Sequence, residues 1–135
     1  MEDSAPMTTI PDSHRDLLER PLYCHLATVS AAGRPQSNPM WFVWDGTSIR
    51  FTHTNTRRKY RQLQHNPHLA ISVIDPDNGA RYLEVRATVE AILDDPTGAH
   101  YSALSERYGR GPQVPPDAAD RVIIVATPYH FTARG

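Results

Sequence analysis

Residues 51–63 read Phe-Thr-His-Thr-Asn-Thr-Arg-Arg-Lys-Tyr-Arg-Gln-Leu, a strand-like run that passes directly into a helical one. The strand pattern begins at Ile49, and Asn55 or Thr56 is a good N-cap for the helix that follows. Pro67 ends that helix, because proline cannot continue a helical backbone. The stretch therefore predicts a strand that leads straight into a helix of about three turns.

Three consecutive cations, Arg57, Arg58 and Lys59, occupy the predicted first turn of this helix. The helix dipole places about half a positive charge at that end, so each cation there costs on the order of 0.3–1 kcal/mol. A bound anion reverses this effect, since the backbone N–H groups, the dipole and the side chains all attract it. We interpret the turn as a cradle for a phosphate or polyanion; a solvated basic helix face is the alternative.

The composition bounds the protein to one domain without a general attraction for nucleic acid. The chain has 135 residues, for which we expect a flexible tail over residues 1–10 and a single domain over 11–135. Its 14 basic and 15 acidic residues give a net charge of −1, so the cationic turn is a local feature. The sequence shows no signal-peptide pattern and no apolar run of the ~20 residues that a membrane span needs. We expect a cytoplasmic protein that binds neither nucleic acid nor a membrane.

The sequence offers no recognisable metal site and no catalytic motif. His65 and His68 are separated by Asn66-Pro67, which breaks the helix that would align them. Glycine motifs for dinucleotides or nucleoside triphosphates are absent, as is a serine nucleophile elbow. The lone Cys24 lies in a strand-like run, where a buried thiol is expected. An anion site without catalytic side chains is typical of a protein whose chemistry belongs to a cofactor.

Strand patterns dominate the rest of the chain. Asp12 or Ser13 begins a short helix that reaches Arg20, and Pro96 begins a longer one that reaches Tyr108. The dipeptide Asp45-Gly46 predicts a tight hairpin between two of the strands. The six predicted strands span 22–30, 35–44, 47–54, 68–74, 80–93 and 121–132. Six strands separated by turn signals predict a closed antiparallel barrel.

The second predicted strand is apolar on both faces over Pro39 to Trp44. The two faces carry Met40, Phe42 and Trp44 on one side and Trp41 and Val43 on the other. Only one face of a barrel strand meets the interior, so the other must contact a helix, a ligand or a second subunit. We interpret it as a dimer interface beside a flat aromatic ligand; a helix of the same chain is the alternative cover.

The order of these segments resembles that of a known family. The matching segments are Gly33-Arg34-Pro35-Gln36, Pro39-Met40-Trp41-Phe42, Phe51-Thr52, Arg57-Arg58-Lys59, Asn66-Pro67 and Tyr82-Leu83-Glu84-Val85-Arg86. Together they resemble the pyridoxamine-phosphate-oxidase-like superfamily of flavin and deazaflavin oxidoreductases, and within it the class B deazaflavin enzymes. The resemblance implies a mainly β fold with a few helices, a six-stranded antiparallel split β-barrel of the FMN-binding type.

The resemblance also implies a homodimer with cofactor sites at its interface. The family's phosphate contacts match Thr52, Arg57, Lys59 and Tyr60 in this sequence. Its ring-contacting strand matches Gln36, Asn38 and Pro39, and His53 and Arg58 are neighbours of these motifs that we include in the cofactor site.

The expected cofactor is coenzyme F420, with FMN as the alternative. Both carry a phosphate on a ribityl chain, and F420 adds an oligoglutamate tail that the surplus cations Arg58 and Arg61 would suit. The resemblance therefore implies an F420H2-dependent reductase that transfers a hydride to an unsaturated small molecule. An FMN-dependent oxidase or reductase and a non-catalytic carrier of F420 or another planar anion are the alternatives. Catalytic side chains stay unassigned, and the proton that follows comes from solvent, Tyr60 or His53.

Overall fold

A computed structural model describes residues 8–135, so most of the predicted tail lies outside the described residues. Within that tail, Ile10 packs against the hydrophobic core. The predicted helix from Asp12 to Arg20 is instead a 3₁₀ turn, Asp12–His14, followed by the single-turn helix α1, Asp16–Glu19. His14 is buried, and its Nε2 lies 2.7 Å from the carbonyl oxygen of Arg134, which fixes the turn to the end of the last strand.

Seven antiparallel strands form one sheet, which gives the chain a mainly β split-barrel fold. The strands are β1 Cys24–Val29, β2 Pro35–Met40, β3 Val43–Trp44, β4 Ile49–Thr54, β5 His68–Asp75, β6 Asn78–Asp94 and β7 Arg121–Arg134. Their order in the sheet is β2-β1-β5-β6-β7-β4-β3. Two further helices are α2, Arg58–His65, and α3, Ala99–Arg107. Within the described part of the chain, no helix is long and apolar enough to cross a bilayer.

The predicted count of six strands is wrong, because the strand expected over 35–44 is broken at Trp41 and Phe42. The N–H of Phe42 donates to the Tyr108 hydroxyl at 3.0 Å, and the Phe42 carbonyl accepts from Arg107 Nε at 3.2 Å. Both backbone groups are therefore taken out of the sheet by residues at the end of α3. The two halves, β2 and β3, form the opposite ends of the strand order, so this break marks where the barrel is split.

The long strand β6 alternates regularly between its two faces only over its first half. Leu83, Val85 and Ala87, spaced two residues apart, are all buried. The pairing with β7 then shifts between Val89 and Ala91, so that one extra residue enters β6. A bulge of this kind reverses which face the later residues occupy, and Leu93, which the same spacing would bury, is 44% exposed.

The barrel interior holds the core, and short helices close its ends. Leu26, Phe51 and Ile124 are fully buried from three different strands, while Leu17 of α1 and Leu63 of α2 pack against the same cluster. The thiol of Cys24 is buried as predicted, and burial raises its pKa to about 12. A thiol in this state is unreactive.

The two longer helices start later than the sequence predicts. The N-cap of α2 is Arg57 rather than Asn55 or Thr56, because the Asn55 N–H bonds to the carbonyl oxygen of Asp120 at 3.0 Å and the chain turns once more before the helix. Helix α3 begins after Gly98 instead of at Pro96. The preceding Asp95 carboxylate accepts the N–H of His100 at 3.1 Å, and this contact sets the start of the helix.

Candidate functional site

A cleft of about 700 Å³ lies beside the split in the barrel, between β2, the end of β4, the first turn of α2 and the start of β7. The residues that line it are Gln36, Asn38, Pro39, Met40, Thr52, His53, Arg57, Arg58, Lys59 and Arg121. The barrel shape of the sheet explains why distant segments meet here. β2 is one end of the strand order, and the paired strands β4 and β7 lie near the other end, so the curved sheet brings them together.

The cleft collects every residue of the predicted cofactor site except Tyr60. Tyr60 is half-buried on α2 and is not part of the cleft wall. Two further residues that the sequence did not predict, Met40 and Arg121, also line the cleft. Met40 directly follows the predicted ring-contacting residues Gln36, Asn38 and Pro39, but no local pattern marks Arg121, which lies far along the chain.

Within residues 8–135, four cations and no carboxylate line the cleft. Among the described residues, Arg57, Arg58 and Lys59 form no ion pair, and only the fourth cation, Arg121, has an acidic partner, Asp117. A chain with a net charge of −1 thus concentrates uncompensated positive charge at one place. Such a cleft attracts an anionic ligand and strengthens its binding.

Lys59 is buried in this wall, with 5% of its surface exposed. Its Nζ donates to Asn38 Oδ1 at 3.0 Å, a contact that joins α2 to β2. Burial lowers the pKa of the lysine, because the charged ammonium loses water without gaining a carboxylate. A phosphate in the cleft would supply the negative charge that the described residues do not provide for the ammonium of Lys59.

The first turn of α2 reinforces this attraction. Arg57 occupies the N-cap position without a capping side-chain hydrogen bond, and the first turn contains no acidic residue. The initial N–H groups of a helix have no partner within the helix, and the dipole favours negative charge beside them. The helix start and the cationic side chains therefore favour an anion at the same place.

His53 and Gln36 contribute neutral polar groups to the cleft. Burial, reinforced by Lys59, Arg57 and Arg121, lowers the pKa of His53 to about 4, so its imidazole is neutral at pH 7. Within residues 8–135, neither His53 Nε2 nor Gln36 Oε1 has a hydrogen-bond partner, although both atoms are buried. Buried polar atoms are normally paired, so these two fit a ligand that carries hydrogen-bonding groups.

A second, smaller pocket of about 220 Å³ shares Pro39, Met40 and Thr52 with the cleft. Its outer wall is aromatic: Tyr23 and Trp41 complete the lining. This pocket extends the polar cleft toward an apolar surface.

The contacts of Trp41 show that helix α3 of the same chain covers part of this face of the strand. Its ring stacks on that of Tyr108, with the centroids 5.2 Å apart and the planes 13° from parallel, and lies 6.0 Å from the ring of Tyr101. Tyr101 belongs to α3, and Tyr108 follows directly after it. Helix α3 of the same chain and the residue that follows it therefore pack against the Trp41 ring.

The arrangement can bind an anionic ligand, but it does not present a metal centre. Within residues 8–135, no group of three or more His, Cys, Asp and Glu side chains is placed to hold a metal ion. The described lining residues include no carboxylic acid, and the imidazole of His53 is neutral. The fold and the site thus define a split-barrel protein with a cationic cleft that suits an anionic ligand.

The sequence pattern of the pyridoxamine 5'-phosphate oxidase family matches residues 10–134, and the chain belongs to this family. A solved structure named F420 reductase is 59% identical, with a TM-score of 0.87, and the match covers 90% of this chain and 98% of that chain. Both matches favour an oxidoreductase. None of the curated proteins compared with the chain matches it.

More distant structures share the fold alone. The conserved hypothetical protein Rv2991 of Mycobacterium tuberculosis is 20% identical, with a TM-score of 0.77 over 99% of this chain and 89% of that chain. The heme storage protein HutZ of Vibrio cholerae is 17% identical, with a TM-score of 0.65 over 94% of this chain and 96% of that chain. Function in such folds depends on the residues of the site, so these two likenesses do not indicate what the protein does.

Proposed function

We propose that the protein is an F420H2-dependent reductase that transfers a hydride to an unsaturated small-molecule acceptor. The observation that carries this proposal is the cleft of four cations without a lining carboxylate, in a chain 59% identical to a protein named F420 reductase. The unpaired Gln36 Oε1 and His53 Nε2 support a ligand with polar groups as well as negative charge.

The lining residues divide into a phosphate part and a ring part in this proposal. Arg57, Lys59 and the first turn of α2 hold the phosphate, with Thr52 beside them. The ring lies along β2 at Gln36, Asn38 and Pro39, next to the smaller aromatic pocket. When bound, F420H2 supplies the hydride.

Arg58 lines the cleft one helical turn before Arg61, which is exposed outside it. Residues three apart on a helix are neighbours on its surface, so the two arginines can follow an extended anion along α2. A single phosphate does not require them. They support F420, whose tail carries additional carboxylates, over FMN.

The protein contributes orientation and exclusion of water. Lys59 and Arg57 fix the anionic end of the cofactor, and an immobilised reactant reaches its partner with less loss of freedom during the reaction. The smaller pocket, with its Met40, Trp41 and Tyr23 wall, offers an apolar surface for the acceptor. Because His53 is neutral and the described lining residues include no carboxylic acid, the proton that completes the reduction comes from solvent.

We also propose that the protein acts as a homodimer. Tyr23 is 51% exposed at the mouth of the smaller pocket, and Ile74 is 47% exposed. A second subunit over Tyr23 would close the pocket and shield the acceptor from water. The support is this exposed apolar surface beside the site, rather than the face of Trp41.

The test of function is anaerobic mixing of purified protein with F420H2 and a panel of enones, quinones and nitroaromatic compounds. The proposal predicts protein-dependent return of oxidised F420 absorbance with at least one acceptor, and loss of that rate in Lys59→Met. The control Arg15→Gln, which removes a positive charge outside the cleft, should keep the wild-type rate. Turnover only with reduced FMN would favour the flavin enzyme, and tight F420 binding without turnover by any acceptor would favour the carrier.

A further inference from the structure

Arg121, the first residue of β7, lines the cleft and is held on three sides. Its Nε lies 3.0 Å from Asp117 Oδ1, and its Nη2 lies 3.4 Å from Asp117 Oδ2, so the carboxylate accepts both bonds from one edge of the guanidinium. The Tyr101 ring lies against its face, with the centroid 4.6 Å from the guanidinium carbon. The side chain is 13% exposed. An arginine held in this way has a fixed direction.

The third contact of Arg121 reaches Thr52. Arg121 Nη1 lies 3.4 Å from Thr52 Oγ1, a long hydrogen bond between two residues of the cleft wall. A guanidinium can only donate, so the hydroxyl oxygen must be the acceptor. Among the described residues, the hydroxyl proton of Thr52 has no acceptor of its own. That proton is therefore free to be donated to a ligand in the cleft.

We propose that Arg121 is a positioning residue, which Asp117 and Tyr101 hold so that it directs the hydroxyl of Thr52 toward a phosphate oxygen of the cofactor. The inference rests on the proposed function only in requiring a ligand with a phosphate, and F420 and FMN both carry one. It assigns Arg121 a role in the site and adds its two supporting residues, Tyr101 and Asp117. No sequence motif marks any of the three.

A role through position is distinguishable from a role through charge, because the two predict opposite effects for Asp117→Asn. If Arg121 acts only as a positive charge, removal of the neutralising carboxylate increases the local potential and tightens anion binding. If Arg121 acts through its fixed direction, loss of the carboxylate releases the guanidinium and weakens binding. The neutral asparagine keeps the size of the side chain, so the comparison isolates its charge and its paired contact.

The experiment is a fluorescence or calorimetric titration of F420 and of FMN against the wild-type protein and its variants. We expect Asp117→Asn, Arg121→Gln and Thr52→Val each to weaken the preferred cofactor by about tenfold. We expect Arg121→Lys to fail to restore binding, since lysine lacks the planar fork, and Thr52→Ser to retain it. The double variant Thr52→Val with Arg121→Gln should bind the cofactor at most about twofold more weakly than the single variant with the lower affinity. The losses are not additive because Arg121 acts through the hydroxyl of Thr52.

Each alternative outcome overturns a defined part of the account. Tighter binding by Asp117→Asn, or fully additive losses in the double variant, overturns the positioning role while the proposed function stands. Wild-type protein that binds neither F420 nor FMN overturns the proposed function and this inference with it. Thermal melts accompany each titration, and if Arg121→Gln does not fold, the pair Thr52→Val and Thr52→Ser still decides whether the hydroxyl contributes to binding.

Discussion

Replacing Lys59 with methionine should weaken the cofactor complex and stabilise the protein without cofactor. The ammonium group has three N–H donors, of which one is bound by Asn38 Oδ1, and the described residues provide no acceptor for the other two. At 5% exposure, water has little access to the side chain. Lys59 is thus an incompletely satisfied buried charge, a feature that a ligand can complete.

The magnitudes follow from these contacts. A hydrogen bond to a charged group contributes about 1.5–3 kcal/mol, so loss of one such bond to phosphate weakens binding by about 10- to 150-fold. Methionine has a similar length and no charge, so it removes the desolvation cost of the buried ammonium, which outweighs the one hydrogen bond that Asn38 Oδ1 loses. We expect a gain of about 1 kcal/mol, or a rise in Tm of about 4 °C for a chain of this size.

The assay pairs titration of F420 and FMN with thermal melts of the protein without cofactor, for Lys59→Met and for Arg15→Gln as the control outside the cleft. The control should leave the affinity unchanged and lower the Tm only slightly, since Arg15 forms an exposed ion pair with Asp12 and lies 5.3 Å from the centroid of the Trp44 ring. Unchanged affinity of Lys59→Met for both cofactors would refute the assignment of this lysine to an anion site. A large loss of stability would refute the argument that its charge is incompletely compensated.

Three further predictions concern pH, cofactor choice and assembly. Because the pKa of His53 is about 4 in the folded protein and near 6.5 in the unfolded chain, the unfolded chain binds more protons between these values. Stability should therefore fall by roughly 2–3 kcal/mol as the pH drops from 6.5 to 4, and urea melts of His53→Asn should show a flatter profile; equal slopes would contradict the assigned pKa. Replacing Arg58 and Arg61 together with glutamine should weaken F420 markedly, with a smaller loss at high salt, and leave FMN nearly unchanged; equal losses would argue against a tail site. Tyr23→Glu should convert a wild-type dimer to monomer by light scattering, and a wild-type protein that is already monomeric at micromolar concentration would end the dimer proposal.

Local sequence patterns predicted the strands and turns, because those depend on neighbouring residues. The Asp45-Gly46 turn forms as expected, with Asp45 Oδ1 accepting the N–H of Ser48 at 2.7 Å. The interruption of the predicted strand at Phe42 could not be predicted from neighbouring residues. It depends on Arg107 and Tyr108, which lie more than 60 positions further along the chain and bind its backbone groups.

The same distinction separates the predicted and the missed parts of the cleft. Arg57 to Lys59 could be predicted from the sequence because cations at a helix start are unfavourable with respect to the helix dipole. All the residues involved lie within one turn of the helix. Arg121 was not readable, since it reaches Thr52 across 69 positions of sequence. That approach arises from the pairing of β4 with β7, in which Thr54 lies opposite Arg121. Sequence alone did not specify this register.

The most direct test of the central claim is a competition titration of purified wild-type protein with F420 and FMN, followed by F420 fluorescence. We expect one F420 to bind per chain with micromolar or tighter affinity, and excess FMN not to displace it. Salt should weaken the binding of F420, since its anionic groups contact exposed as well as buried cations. Displacement of F420 by an equal concentration of FMN, or the absence of saturable F420 binding, would contradict it.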